Sequence, residues 1–140
     1  MEKVICYTNG QSRGNPGPSA IGVYIASGTS EILKEVQQTI GNASANFAEY
    51  YAVMVGLQTL QTMYGEETRN LDFELRVSSE YVKKHLNNES TISDPGLVPM
   101  FIEIHNMRVE SFPHLVVIQV TAEQNKEAEE LVNCVLDGHG

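Results

Sequence analysis

The stretch Tyr7-Thr8-Asn9-Gly10-Gln11-Ser12-Arg13-Gly14-Asn15-Pro16-Gly17-Pro18 decides how this chain is read. Just before it, Val4 to Thr8 is a β-rich run that ends on Asn9-Gly10. Taken alone, Asn-Gly is a strong signal for a type I′ hairpin, because both residues tolerate positive φ, but the residues that follow make the hairpin the lesser reading. The glycines and prolines from Gln11 to Pro18 oppose regular structure, so a turn-rich stretch is expected there. Ile21 to Ala26 and Glu31 to Ile40 read as two more strands, parted by a Ser-Gly-Thr-Ser turn.

Past Asn42 the period changes. Phe47, Tyr50, Tyr51, Met54, Leu57, Leu60 and Met63 recur every three or four residues, which predicts an amphipathic helix ended by Gly65. Leu71 to Val77 alternates as a half-buried strand does, and Ser79 is placed to cap a short helix through Leu86. Asp94-Pro95-Gly96 opens a helix from Leu97 to Glu110, Leu115 to Val120 is a buried β run, and Asn125 to Leu136 is a closing helix. The order β-β-β-α-β-α-α-β-α predicts an α/β fold with a mixed sheet flanked by helices.

The 140 residues suit one compact domain over 1–140, and 41% hydrophobic with 19% charged residues is ordinary for a folded soluble protein. No apolar stretch approaches the roughly 20 residues that cross a bilayer, and nothing reads as a targeting segment, so no membrane partner is expected. Cys6 and Cys134 sit in apolar patterns and read as buried free thiols, which fits a cytoplasmic location. Nine basic against eighteen acidic residues leave a net charge of −9. That field repels phosphate, so tight nonspecific nucleic-acid binding is not expected.

Four separated segments resemble the type 1 ribonuclease H family, especially its short bacterial branch. The opening stretch is similar to the family's Y-T-D-G-x-S-R-G-N-P-G-P. Asn46-Phe47-Ala48-Glu49-Tyr50-Tyr51-Ala52 with Gly56-Leu57 is similar to N-x-A-E-Y-x-A…G-L, and Val77-Ser78-Ser79-Glu80 stands where the family has a strand-ending D-S-E. Glu123-Gln124-Asn125-Lys126-Glu127-Ala128-Glu129-Glu130-Leu131 is similar to E-x-N-x-x-A-D-x-L. The resemblance spans nearly the whole chain, in order and in spacing. It implies a ribonuclease H-like fold with a five-stranded mixed sheet.

It also implies a chemistry. Such enzymes cut the RNA strand of RNA/DNA hybrids with two Mg²⁺ ions about 4 Å apart, held by four carboxylates. The family's catalytic positions fall here on Asn9, Glu49, Ser78 and Glu129, so two of the four are not acidic. Glu129 also stands where the family has the shorter aspartate. Only Glu49 and Glu129 remain as metal ligands, which implies weak Mg²⁺ or Mn²⁺ binding, with no metal needed for folding. The substrate-binding positions fall on Arg13, Asn15, Asn46 and Lys83. Ala45-Asn46 replaces a pair of asparagines that reads ribose hydroxyls, and Ala122 replaces an arginine.

Plainer readings stand beside these. Glu49 suits a boundary acid on an apolar helix, and Glu129 suits an acidic helix start favoured by the helix dipole. Gly14 to Gly17 suits a bare turn, and Lys83-Lys84 a solvated helix face. His85, His105, His114 and His139 show no metal spacing and no obvious carboxylate partner. Asn9-Gly10 is also prone to deamidation, which would restore an aspartate at position 9.

Three functions follow. The leading one is a ribonuclease H-related nucleic-acid-binding or interaction module without efficient hybrid cleavage. The second is an active metal-dependent ribonuclease H with an altered ligand set. The third is a protein-binding scaffold with no nucleic-acid role.

Overall fold

The structure is a computed structural model that describes residues 3–138. His139 lies outside the described residues. Five strands form one sheet in the order β3-β2-β1-β4-β5. Strands β1 (Lys3–Ser12), β2 (Gly17–Ser27) and β3 (Ile32–Ala43) form an antiparallel meander. Strands β4 (Asp72–Val77) and β5 (Leu115–Gln119) extend it in parallel from β1. The sheet is mixed, as expected.

Helix α1 (Ala45–Tyr64) packs on one face, with α2 (Glu80–Leu86) and α3 (Val98–Ser111) beside it, and α4 (Lys126–Leu136) packs on β1, β2 and β3. Local chemistry sets the helix ends. Ser44 Oγ accepts from the Phe47 amide at 3.1 Å to cap α1, and Gly65 stops it with φ of 55°. Ser79 caps α2 by accepting from the Val82 amide at 3.2 Å. The core joins Tyr50, Val53, Leu57 and Leu60 of α1 to Phe73, Leu75 and Val77 of β4. Among the described residues no helix is long and apolar enough to cross a membrane.

Two expectations are corrected. The β run expected to end on Asn9-Gly10 continues: β1 runs straight through both residues, which pair with Gly22 and Ile21 of β2, so the lesser, hairpin reading of that pair does not hold. The turn lies four residues later, so β2 starts at Gly17 rather than Ile21. Regular pairing reaches further into the Gly/Pro stretch because Pro18 lies near the start of β2, and its carbonyl accepts from the Arg13 amide at 2.7 Å. Secondly, Cys6 is buried as expected but Cys134 is only half-buried; neither is in a disulfide.

Two glycines let helices sit directly on the sheet. A Cβ on Gly10 would lie 2.2 Å from the Ala48 carbonyl of α1, and one on Gly22 would lie 2.4 Å from the Ala128 oxygen of α4. Those contacts are main chain against main chain, so no side-chain movement relieves them. They bring Glu49 beside β1 from one side and the start of α4 from the other.

Candidate functional site

The site follows from where β4 stops. Parallel pairing of β1 with β4 ends at Thr8 and Val77, so Asn9 and Ser78 are the next residues on neighbouring strands. Beyond that point β1 has no strand on this edge, and its main-chain groups need other partners. Glu49 of α1 supplies one: its Oε1 accepts from the Gly10 amide at 2.5 Å. Asn125, in the short turn before α4, supplies another: its Nδ2 donates to the Thr8 carbonyl at 2.9 Å. Two side chains thus complete the strand where β4 no longer can.

The same Asn125 Nδ2 donates to Ser78 Oγ at 2.8 Å, tying the end of β4 to β1 and the start of α4. Asn125 is fully buried, and its Oδ1 has no hydrogen-bond partner. Flipping the amide would face Oδ1 to the Thr8 carbonyl, acceptor against acceptor, so the orientation is fixed by chemistry.

Asn9 is buried and its Oδ1 accepts from Gln11 Nε2 at 2.9 Å. Glu49 is partly exposed as a residue, yet burial of its carboxyl outweighs the Gly10 hydrogen bond and pushes its pKa up to about 7. Such a shift reports a carboxyl with no cation near it. Glu129 is half-exposed on α4, beside an open hollow of about 260 Å³ that Glu123, Lys126 and Glu130 also line. Among the described residues no three His, Cys, Asp or Glu side chains are grouped to hold a metal ion. Asn9, Glu49 and Ser78 converge on the end of β4, while Glu129 stands one turn along α4 from Asn125.

The substrate-binding candidates separate into two places. Arg13, Asn15 and Asn46 are exposed near the start of α1, where Asn15 Oδ1 accepts from the Ala45 amide at 3.2 Å. Arg13 is paired with Asp137 at 2.8 Å. Lys83 lies on α2 and is paired with Glu89 at 2.7 Å, while its neighbour Lys84 is paired with Glu80 at 2.8 Å.

Sequence reasoning missed two features. Asn125 was visible as the N of the E-x-N segment, but its bridging role needs the three-dimensional end of β4. His85, without an assigned partner, is buried; its Nδ1 lies 2.7 Å from Tyr50 Oη, and its ring sits edge-on to Tyr81. Burial holds its pKa below the ordinary histidine value. His105 and His114 are exposed.

A β3-β2-β1-β4-β5 sheet with α1 and α4 on it and a candidate site where β4 ends defines a ribonuclease H-like protein. The ribonuclease H family model matches residues 1–134. Ribonuclease HI of Halobacterium salinarum is 34% identical over 135 residues, covering 96% of this chain but 65% of that protein. The bifunctional protein Rv2228c of Mycobacterium tuberculosis is 27% identical over 96% of this chain, which spans 36% of its length. LC11-RNase H1, isolated from compost, superposes with a TM-score of 0.92 at 36% identity, covering 98% of this chain and 97% of that one. LC11-RNase H1 has also been crystallised with an RNA/DNA hybrid, and that structure superposes with a TM-score of 0.89 over 93% of this chain and 94% of that one. The chain belongs to the type 1 ribonuclease H family.

Proposed function

We infer that this protein binds RNA/DNA hybrid, or a nucleic acid of similar shape, with little or no capacity to cleave it. The observation that carries this reading is the donor set at the end of β4. Of four positions that should offer carboxylates, Asn9 offers an amide oxygen already accepting from Gln11, and Ser78 a neutral hydroxyl already bonded to Asn125. Glu49 spends one oxygen on the Gly10 amide. Mg²⁺ is hard, dehydrates reluctantly and is held by charged oxygen. These residues therefore do not fit a pair of Mg²⁺ ions, and no hydrolytic step is derived through one.

Binding is supported by what surrounds that gap. The Arg13–Pro18 turn is braced by Ser12 Oγ, which donates to the Ala43 carbonyl at 2.7 Å, and by Asn15 on Ala45. This holds Asn15 beside Asn46 at the start of α1, with Arg13 on the same turn. The hybrid-bound relative has closely similar overall geometry. The net charge of −9 makes the binding modest and steeply salt-dependent.

Fluorescence anisotropy with labelled RNA/DNA hybrid, double-stranded DNA and single-stranded RNA tests this reading. Expected is saturable binding that favours the hybrid, weakens as salt rises, and weakens further in an Arg13→Ala/Asn46→Ala variant. Equal and negligible binding of all three at low salt would instead favour a protein-binding scaffold. Family-like cleavage during the assay would favour an active enzyme with an altered ligand set.

A further inference from the structure

The far end of the sheet holds a cation with no counter-ion among the described residues. A cleft of about 360 Å³ runs beside α3, lined among others by Asn88, His105, Arg108, Val109, Phe112 and Leu115. Arg108 is partly buried, and its Nη1 donates to the Leu86 carbonyl at 2.6 Å. The ion pairs among the described residues involve Lys3, Arg13, Arg76, Lys83 and Lys84; Arg108 is in none of them. Burial holds its guanidinium below the usual arginine pKa, as expected for a desolvated cation that no carboxylate compensates.

The remaining guanidinium N–H groups are not sealed in the core. Among the described residues the only buried side-chain polar atom without a partner is Asn125 Oδ1. The other Arg108 donors therefore open towards solvent, and Arg108 lines the cleft. An arginine held by one carbonyl, with its fork still available, is suited to bidentate recognition of a carboxylate. In a chain of net charge −9, none of the acidic side chains among the described residues pairs with it.

The walls narrow the ligand class. Phe112 and Leu115 are 2% and 8% exposed and form the apolar floor, with Val109, 65% exposed, at the rim. Inorganic phosphate would gain nothing from those surfaces. A carboxylate carrying an apolar body would use both the cation and the floor. We propose that this cleft binds an organic monocarboxylate, with the carboxylate on Arg108 beside His105 and the apolar body against Val109, Phe112 and Leu115. Leu115 opens β5 and pairs with Phe73 near the start of β4, whereas Ser78 follows the end of β4. The cleft thus lies at the opposite end of the strands from Asn9 and Ser78, and its occupancy does not depend on the hybrid-binding reading.

The test is a ¹H–¹⁵N correlation titration of the intact protein with benzoate, with inorganic phosphate and benzamide as separate arms. Benzoate is expected to shift the Arg108 Nε–Hε and the Val109 and Leu115 amides saturably, with roughly millimolar affinity for so small a ligand. Phosphate and benzamide are expected to give no saturable shift. Val109→Glu puts a carboxylate at the exposed rim without touching the Leu86 bond, and it is expected to weaken benzoate at least tenfold with the remaining spectrum unchanged. Arg108→Gln is expected to abolish binding. Absence of a saturable benzoate shift, phosphate binding as tight as benzoate, or unchanged affinity in Val109→Glu would overturn the proposal.

Discussion

The two halves of the site have the same architectural task and meet it differently. Where β1 outruns β4, α1 supplies Glu49 to the Gly10 amide, and the turn before α4 supplies Asn125 to the Thr8 carbonyl. The α1 half keeps its carboxylate, raised in pKa by burial. The β4 half has a serine that serves as a hydrogen-bond partner of Asn125. Position 49 holds an acid that also completes the main chain, whereas the side chains at positions 9 and 78 are neutral and bond Gln11 and Asn125 instead. Completing the main chain and carrying a charge are thus separable tasks for the same few positions.

The harshest way to break this comparison is to deny the helices their approach. Gly10→Ala forces a Cβ to within 2.2 Å of the Ala48 carbonyl. It is expected to cost more than about 3 kcal/mol or to prevent folding, because backbone must yield on both sides. Urea denaturation measures it, and a loss under about 1 kcal/mol would show that α1 is free to move.

A second prediction sharpens the α1 half through pH. An unfolded chain holds Glu49 near its ordinary 4.5, and folding raises it to about 7. Between those values the folded state binds more protons, so this group makes stability fall as pH rises through the window. Glu49→Gln keeps an acceptor for Gly10 and removes the charge. It is expected to stabilise the protein by up to roughly 3 kcal/mol above pH 7, and by nothing near pH 4. Thermal melts across that range would show the two curves converging in acid. A variant less stable than the parent at pH 8 would mean that Glu49 is compensated by a cation.

Smaller effects probe the β4 half. Asn125→Ala removes one buried and one part-buried hydrogen bond and is expected to cost about 2 kcal/mol. Ser78→Ala removes one and is expected to cost about 1 kcal/mol. A double-mutant cycle should give a coupling of at least about 0.5 kcal/mol, and strict additivity would show that the Ser78–Asn125 bond contributes nothing. Smallest is the chemical lability of Asn9. Its carboxamide would have to be attacked by the Gly10 nitrogen, whose N–H is engaged by Glu49 within a paired strand. Peptide mass analysis after long incubation is expected to show Asn9 intact.

Much of this was legible in the sequence, for physical reasons particular to each element. The three-and-four spacing from Phe47 to Met63 marks α1 because one face must meet the sheet, and Ser44 and Gly65 punctuate it. Asn9-Gly10 carries a local signal that the fold does not use. A hairpin preference is decided by two residues, whereas here Gly10 is required by the Ala48 carbonyl, a contact distant in the chain. The motifs named Asn9, Glu49 and Ser78, which the fold brings to the end of β4. The bonds of Glu49 to Gly10 and of Ser78 to Asn125 could not be read there, because both depend on where β4 ends relative to β1. Arg108 was legible only as one of the nine basic residues; its lack of a counter-ion among the described residues appears once α3 is set against the Leu86 carbonyl.

The most direct test of the account is hydrolysis of an RNA/DNA hybrid in Mg²⁺ or Mn²⁺ by fresh protein and by its Asn9→Asp/Ser78→Asp variant. The account predicts that the native chain binds hybrid but leaves it uncut, and that the variant cuts it in a metal-dependent manner. Metal-dependent cleavage by the native chain at a rate matching the variant's would contradict it.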